Sequence, residues 1–371
     1  MLSLLLSCRD ELMEFEMKCN SIILIRFRRM YMLMSRRLKY ICFVIPIIIL
    51  LFFSSRTFSQ NTQIKGFIDG LVTHEKSKLS FGFGEQDLFI ASEISDRISF
   101  LGETVFRYTP SSPTAFSISV ERVVIKYNIK DNHNLLIGKH HTPINYWNDT
   151  YHHGRVFFPT IERPLLFSKN IIPLHTTGIS IQGHDLGNLK FGYDLMVGNG
   201  LGSEEIFDNN KSKSLTAAIH IKPVERLRLG ASYYVDVISK GSKIHDRVIN
   251  RKVNQNLITA SVAYFGKKLE VLSEGTLGIN RTDSTGRKKT LAPYIYTGYK
   301  ITEKLVPYLR LDNIHYQKGE LYYGKDNMTA LVAGMRYQLN YLAVIKLEYQ
   351  YTDSELTGDG NKLTAQFAIG F

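Results

Sequence analysis

Lys362-Leu363-Thr364-Ala365-Gln366-Phe367-Ala368-Ile369-Gly370-Phe371, the last ten residues, alternate in a way that decides the fold. In an extended chain, successive side chains point to opposite sides. One side here receives Leu363, Ala365, Phe367, Ile369 and Phe371; the other receives Thr364, Gln366, Ala368 and Gly370. The segment before it repeats the pattern, with Ala343, Ile345, Leu347, Tyr349 and Tyr351 against Val344, Lys346, Glu348 and Gln350. Farther upstream, Leu227, Leu229, Ala231, Tyr233 and Val235 oppose Arg226, Arg228, Gly230, Ser232 and Tyr234. A β-sandwich also alternates, but it buries its apolar faces in a shared core. Here the polar faces repeatedly carry long charged side chains, which predicts a wet lumen inside and an apolar exterior facing lipid. The expected fold is all-β: a transmembrane antiparallel β-barrel.

Counting back from Phe371, the connections alternate between tight and long. Tight ones fall near 340–341, 301–303, 266–267, 222–225, 185–188, 130–133 and 95–97. Long ones fall near 354–361, 317–327, 280–290, 240–254, 198–212, 141–174, 109–114 and 73–85. Short periplasmic turns, longer external loops and an even number of strands belong to outer-membrane barrels. The expected count is 16 strands, with room for another pair in 73–95.

The segment Lys139–Thr176 breaks the pattern. It holds the only tryptophan, Trp147, five of the 11 histidines and four of the 10 prolines, and it follows neither strand nor helix periodicity. A structureless stretch of this length in a compact domain is usually functional or disordered. Its aromatic and aliphatic content argues against disorder. It is the third external loop, expected to fold into or over the pore. A 16-strand barrel leaves an aqueous channel that such a loop would narrow.

The first 59 residues read as an N-terminal extension plus a signal peptide. Arg36, Arg37 and Lys39 precede the apolar run 41–53, and small residues lead to a cleavage site near 59/60. With its internal Pro46, the run is short for crossing a bilayer core. Met30, Met32 or Met34 is a more natural start than Met1. Residues 60–371 then form the barrel. All three cysteines (Cys8, Cys19 and Cys42) fall in the leader, so the mature chain has no disulfide framework, thiolate nucleophile or cysteine metal site. Much of the formal charge of +12 also lies there: the remainder holds 37 Lys/Arg and 30 Asp/Glu, dispersed along the chain. Dispersion of this kind is no footprint for nucleic acid. No later apolar run approaches the length of a transmembrane helix.

Certain motifs resemble a known family. The run Asp87–Glu103 resembles the early paired strands of Gram-negative porin-like proteins. Glu121, Tyr127, Leu136-Ile137-Gly138-Lys139, Pro143-Ile144 and Tyr146-Trp147-Asn148 resemble the Gly-Arg/Lys-x-x-x-Pro-x-Gly/Tyr segment of the phosphate-selective porin O/P group. Arg163-Pro164-Leu165 is similar to the Arg-Pro element that follows it. The Ser59-Gln60 junction and the tyrosine-rich barrel resemble Bacteroidetes-type outer-membrane porins. The resemblance covers most of 64–371 as a pattern but only 87–166 as motifs. It implies passive diffusion of small hydrophilic solutes through the bacterial outer membrane, with outer-membrane lipid around the barrel. It also implies a homotrimer and recognition of Phe371 by the barrel-assembly machinery. Phosphate-selective members cluster lysines at the constriction, whereas this loop has only Lys139 and Lys169, with Arg155 and Arg163.

Parity places Glu103 with Arg107, Arg226 with Arg228, Arg310 with Asp312, and Lys346 with Glu348 on inward faces. Charged rings select ions in pores, basic ones favouring anions, although acids accompany most of these bases. Arg155 and Arg163 are the better candidates for an anionic solute, because guanidinium pairs bidentately with carboxylate or phosphate. Trp147, His152 and His153 are expected to pack the loop. Neighbouring histidines in an extended chain diverge, and no metal motif is present, so neither a metal nor a cofactor is expected. Gly198-Asn199-Gly200-Leu201-Gly202 lacks the following helix that a phosphate cradle needs. Two further readings stay open: an outer-membrane hydrolase, for which the sequence offers no nucleophile motif, and a loop-plugged barrel serving as a receptor or partner platform.

Overall fold

The computed structural model describes residues 61–109, 114–151, 154–200, 208, 210–244 and 247–371. The expected leader, its signal peptide, and His152 and His153 lie outside the described residues. No described helix is long and apolar enough to cross a membrane.

Among the described residues, 16 long antiparallel strands close on themselves. They are β1 (Asn61–Glu75), β2 (Lys78–Glu93), β3 (Ile98–Tyr108), β4 (Phe116–Lys130), β5 (His133–His141), β6 (His175–Leu186), β7 (Phe191–Gly198), β8 (Ser214–Val224) and β9 (Leu227–Ile238). After a small hairpin of β10 (Lys243–Ile244) and β11 (Arg247–Val248) come β12 (Val253–Phe265), β13 (Leu269–Thr282), β14 (Gly286–Tyr299), β15 (Leu305–Tyr316), β16 (Met328–Asn340), β17 (Ala343–Ser354) and β18 (Gly360–Gly370). β1 pairs with β18, and Gly66 and Phe371 exchange two backbone hydrogen bonds of 2.9 Å, so the seam leaves no free edge there.

Outward positions form an apolar belt that includes Ile219, Ile258, Leu291, Leu309, Ile345, Leu363 and Phe367. Exposed aromatics flank it: Tyr127, Tyr299, Tyr337, Tyr341 and Phe371 toward the short turns, and Phe81, Phe83, Tyr108, Phe116 and Tyr349 toward the other end. An apolar band between two aromatic girdles is the exterior of a membrane barrel.

Two connections expected to be long are tight. β1 and β2 are joined by Lys76 and Ser77 alone, both left-handed (φ 48° and 62°), the backbone of a two-residue hairpin. β13 and β14 are joined by residues 283–285, followed by Gly286 at φ 66°. In both places the ladder continues past the apolar belt. Leu79, Phe81 and Phe83 still alternate with Ser80, Gly82 and Gly84, and polar residues continue the ladder at 280–282 and 286–290.

Two bulges shape the inner wall. Gly84 and Glu85 of β2 together oppose Asp69 of β1, and Glu121 is an extra residue of β4 where Glu103 and Thr104 meet Arg122 and Val120. Bulges re-aim side chains. These two turn Glu85 and Glu121 inward on either side of Arg107. The space around Asp69 requires Gly84, since a Cβ there would lie 2.0 Å from the Asp69 carboxylate.

Candidate functional site

The connection 142–174 occupies one side of the barrel interior. Its two roots are tied together: Thr142 N–H donates to the Leu174 carbonyl (3.0 Å), and Asn148 Nδ2 donates to the carbonyls of Thr142 and Leu174 (3.0 and 2.9 Å). Two short helices interrupt it, α1 (Tyr146–Thr150) and α2 (Leu165–Ser168). The first N–H groups of a helix lack partners within it. At α1 the buried Glu274 carboxylate of β13 takes the N–H groups of Tyr146 and Trp147, and the Tyr294 hydroxyl donates to the same carboxylate.

The rest of the irregular backbone finds its partners in the same way. Such groups cost heavily when buried and unpaired, so each needs a donor or acceptor from the wall. Lys346 Nζ donates to the carbonyls of Arg155 (2.6 Å) and Thr160 (3.1 Å). Glu348 accepts from Ile161 N–H and the Tyr308 hydroxyl, each at 2.9 Å. Arg310 pairs with Asp312 (2.9 Å) and donates to the Thr160 hydroxyl and the Glu162 carbonyl. Arg336 reaches the Pro159 carbonyl at 3.2 Å, and Tyr323 reaches that of Ile171 at 2.7 Å. Trp147 is 0% exposed. Its ring meets Tyr151, Phe158, Phe167 and Tyr294 at centroid distances of 5.3–6.2 Å.

The inserted connection, expected to fold into or over the pore, therefore leaves this side of the lumen dry. Arg310, Asp312, Lys346 and Glu348 point inward, as parity requires, but they face the inserted connection and are nearly inaccessible to solvent. Two other candidates lie outside the lumen. Arg226 sits on the β8–β9 turn (φ 68°) beside Glu225. Lys139 shares the outward face of Ile137 and donates to the Val120 carbonyl, on the part of β4 that extends beyond its pairing with β5. Lys169 is exposed on the connection, just after α2. Arg228 faces inward and steadies α1: it bonds Asp149 (3.0 Å) and His220 (3.1 Å) and lies 5.0 Å from the Tyr146 ring centre.

The remaining candidates converge where the connection faces β1–β4. Arg107 bridges Glu85 and Glu121, both at 2.9 Å. Arg122 binds Glu103 and lies over Phe89. From the connection, Arg155 approaches Asp69, Glu85 and Glu162 at 3.8–3.9 Å, and Arg163 approaches Glu85 at 3.8 Å while covering Phe158. Gly154 N–H donates to Asp87 (3.3 Å), and His175 approaches Glu121 at 3.3 Å. Burial acts most strongly against the charge on both connection arginines. Around Arg155 the carboxylates of Glu162, Glu85 and Asp69 outweigh it, and the pKa is raised. Arg163 has Glu85 in its favour but Arg155 and Arg107 against it, and its pKa is lowered.

The layering of this cluster matters more than its composition. The carboxylates Glu103, Asp69, Glu121 and Glu85 are 0%, 2%, 6% and 12% exposed, whereas Arg107, Arg122, Arg163 and Arg155 are 36%, 21%, 17% and 16% exposed. The acids of the barrel wall form the floor and the guanidinium groups lie above them, while Glu162 of the connection, 38% exposed, stands beside Arg155. Below the cluster, toward the short turns, a cavity of about 470 Å³ continues along β1–β7, lined among others by Gln63, Arg122, Lys126, His140, Gln182 and Asp194. Among the described residues no group of three or more His, Cys, Asp or Glu is placed to hold a metal ion.

Sequence reasoning missed Asp69, Glu85, Glu121 and Arg122 as site residues. The two bulges shift the parity there. A visible signal was that Asp69, Glu85 and the Glu121-Arg122 pair interrupt apolar or small-residue runs.

No family model matches the chain, and no curated protein matches it. Solved structures do. The anion-selective porin of Comamonas acidovorans superposes with a TM-score of 0.62 at 7% identity, over 84% of this chain and 100% of that one. The trimer form of OmpT, an outer membrane protein of Vibrio cholerae, gives 0.60 at 12% identity, over 84% and 99%. The outer membrane channel DcaP of Acinetobacter baumannii gives 0.58 at 14% identity, over 85% and 98%. The fold is that of an outer-membrane porin barrel. At such identities the likeness concerns architecture, and it agrees with the lipid-facing belt.

Proposed function

We propose that this barrel is a passive diffusion channel of the bacterial outer membrane for small hydrophilic solutes, with a preference for anions and no catalytic role. The observation that carries this reading is the layered cluster between the connection and β1–β4. A solute passing there meets the more exposed guanidinium groups of Arg107 and Arg122 before it meets the carboxylates of the wall beneath, with Arg163 and the more deeply set Arg155 behind them. Guanidinium forks suit carboxylate and phosphate oxygens, and the preference extends to small anions generally, phosphate among them. Lys139 and Lys169 contribute nothing to it, lying on the outer face and on the exposed part of the connection. The functional assembly is a homotrimer, a proposal supported by the porin fold and by the trimer form solved for the Vibrio cholerae protein.

Single-channel conductance in planar bilayers, with reversal potential under a salt gradient, tests the channel. An anion-shifted potential that falls toward zero in Arg107→Gln supports it. A well-folded barrel that never conducts refutes it and favours a partner-binding barrel plugged by its own connection.

A further inference from the structure

Arg281 and Arg287 stand directly opposite each other on β13 and β14, at the end away from the short turns. Both are exposed, and both occupy outward positions. Side chains facing each other across an antiparallel pair have Cβ atoms about 5 Å apart, and like charges so placed destabilise the ladder. Lys289 is the next outward residue of β14, and Lys252 lies two residues before Asn254, the β12 partner of Arg281. Among the described residues Arg281, Arg287 and Lys289 have no acidic partner. Among the described residues no ion pair offsets the repulsion between the two arginines.

These cations also sit at a defined height. Along β14 the outward positions run Arg287, Lys289, Leu291, then Ile295, so the charges begin one step above the side chains that face lipid. A strand rises about 3.3 Å per residue, which puts Lys289 and Arg287 about 7 and 13 Å along the strand beyond Leu291. That is the zone of polar headgroups above the hydrocarbon. Elsewhere on this rim the outward residues differ: Asp353, Glu355 and Asp359 lie around β17–β18, and Phe81, Phe83 and Phe116 on β2–β4.

We propose that Arg281, Arg287 and Lys289, with Lys252, form a binding site for the phosphate groups of an outer-leaflet glycolipid headgroup. The fold already requires lipid against Leu291, Ile295 and Ile258 directly below, so the headgroup of that lipid is the anion at hand. A phosphate between the two arginines converts a cross-strand repulsion into paired charge-assisted hydrogen bonds. The inference depends on the membrane-barrel fold and not on conductance, so a silent channel leaves it standing.

The test is the unfolding midpoint of the refolded barrel in neutral detergent, alone and with added lipid. Bisphosphorylated lipid A, its dephosphorylated form and inorganic phosphate are compared as ligands. The wild-type protein gains about 5 °C from bisphosphorylated lipid A at roughly one hundred times its Kd, and little from the other two. The Arg281→Gln/Arg287→Gln variant loses that gain, yet without lipid it is no less stable than wild type, because the repulsion has gone. If the double variant fails to refold, Lys289→Gln carries the same comparison with a smaller loss. Equal gains in wild type and variant, or an equal gain from the dephosphorylated lipid, overturn the site. An equal gain from inorganic phosphate overturns the lipid assignment. Dissociation of an oligomer in the variant, read by light scattering, overturns it in favour of a contact between copies.

Discussion

Glu274 offers the sharpest test of how the interior is held. Its carboxylate accepts the N–H groups of Tyr146 and Trp147 and the hydroxyl of Tyr294. In Glu274→Ala all three donors lose their acceptor in a buried setting. Hydrogen bonds to a charged group contribute about 1.5–3 kcal/mol each, and removing one member of a buried charged network costs about 3–5 kcal/mol in all. A loss near 4 kcal/mol shifts the balance between docked and undocked connection by roughly three orders of magnitude, at 1.4 kcal/mol per tenfold. Trp147 reports the outcome directly, because it is the only tryptophan and is fully buried beside this carboxylate. The expected result is a red-shifted emission with increased acrylamide quenching, alongside larger or flickering conductance steps. Glu274→Gln, which keeps one acceptor oxygen, gives a smaller change. Unchanged emission, quenching and conductance in Glu274→Ala would show that this carboxylate does not hold the connection in place.

Other expectations are simpler. Gly138 has φ 126°, and a Cβ there would meet the Val123 carbonyl at 2.1 Å, so Gly138→Ala costs about 2–5 kcal/mol of stability, read as a lower unfolding midpoint. Gly275→Ala, with open space around its Cβ, stays near wild type in the same melt. Arg163→Gln removes one of the four guanidinium groups of the cluster and moves the reversal potential toward cation selectivity, whereas Lys139→Ala and Lys169→Ala leave it unchanged. Tyr323→Phe deprives the Ile171 carbonyl of its donor and Gln255 of its acceptor, costing about 1–3 kcal/mol in chemical denaturation.

Much of this architecture is legible in the amino-acid sequence because a membrane barrel writes its two faces at period two. The alternation at Leu363–Phe371 and the rhythm of turns point to a closed barrel of 16 strands. Turn chemistry at 73–85 and 280–290 is less informative, since strands that leave the membrane become polar while remaining strands. Parity also finds the inward face of Arg310, Asp312, Lys346 and Glu348. It is silent about what they meet inside, because the partners are backbone groups of 155–162, more than 140 residues away. Arg107, Arg155 and Arg163 were legible as candidates, whereas Arg122 and the acids Asp69, Glu85 and Glu121 escaped for a local reason. One extra residue at Gly84–Glu85 and another at Glu121 put the parity out of step for the side chains that matter most.

The inserted connection also constrains any attempt to widen this pore. Residues 142–174 satisfy charges on β13, β15, β16 and β17 that would otherwise be stranded, and they cover the rings of Tyr294, Tyr296 and Tyr308. Excising the segment would therefore not leave a clean, broad aqueous bore. It would expose a sticky, irregularly charged lining on that side of the barrel. Enlargement is better sought on the opposite wall, one small side chain at a time.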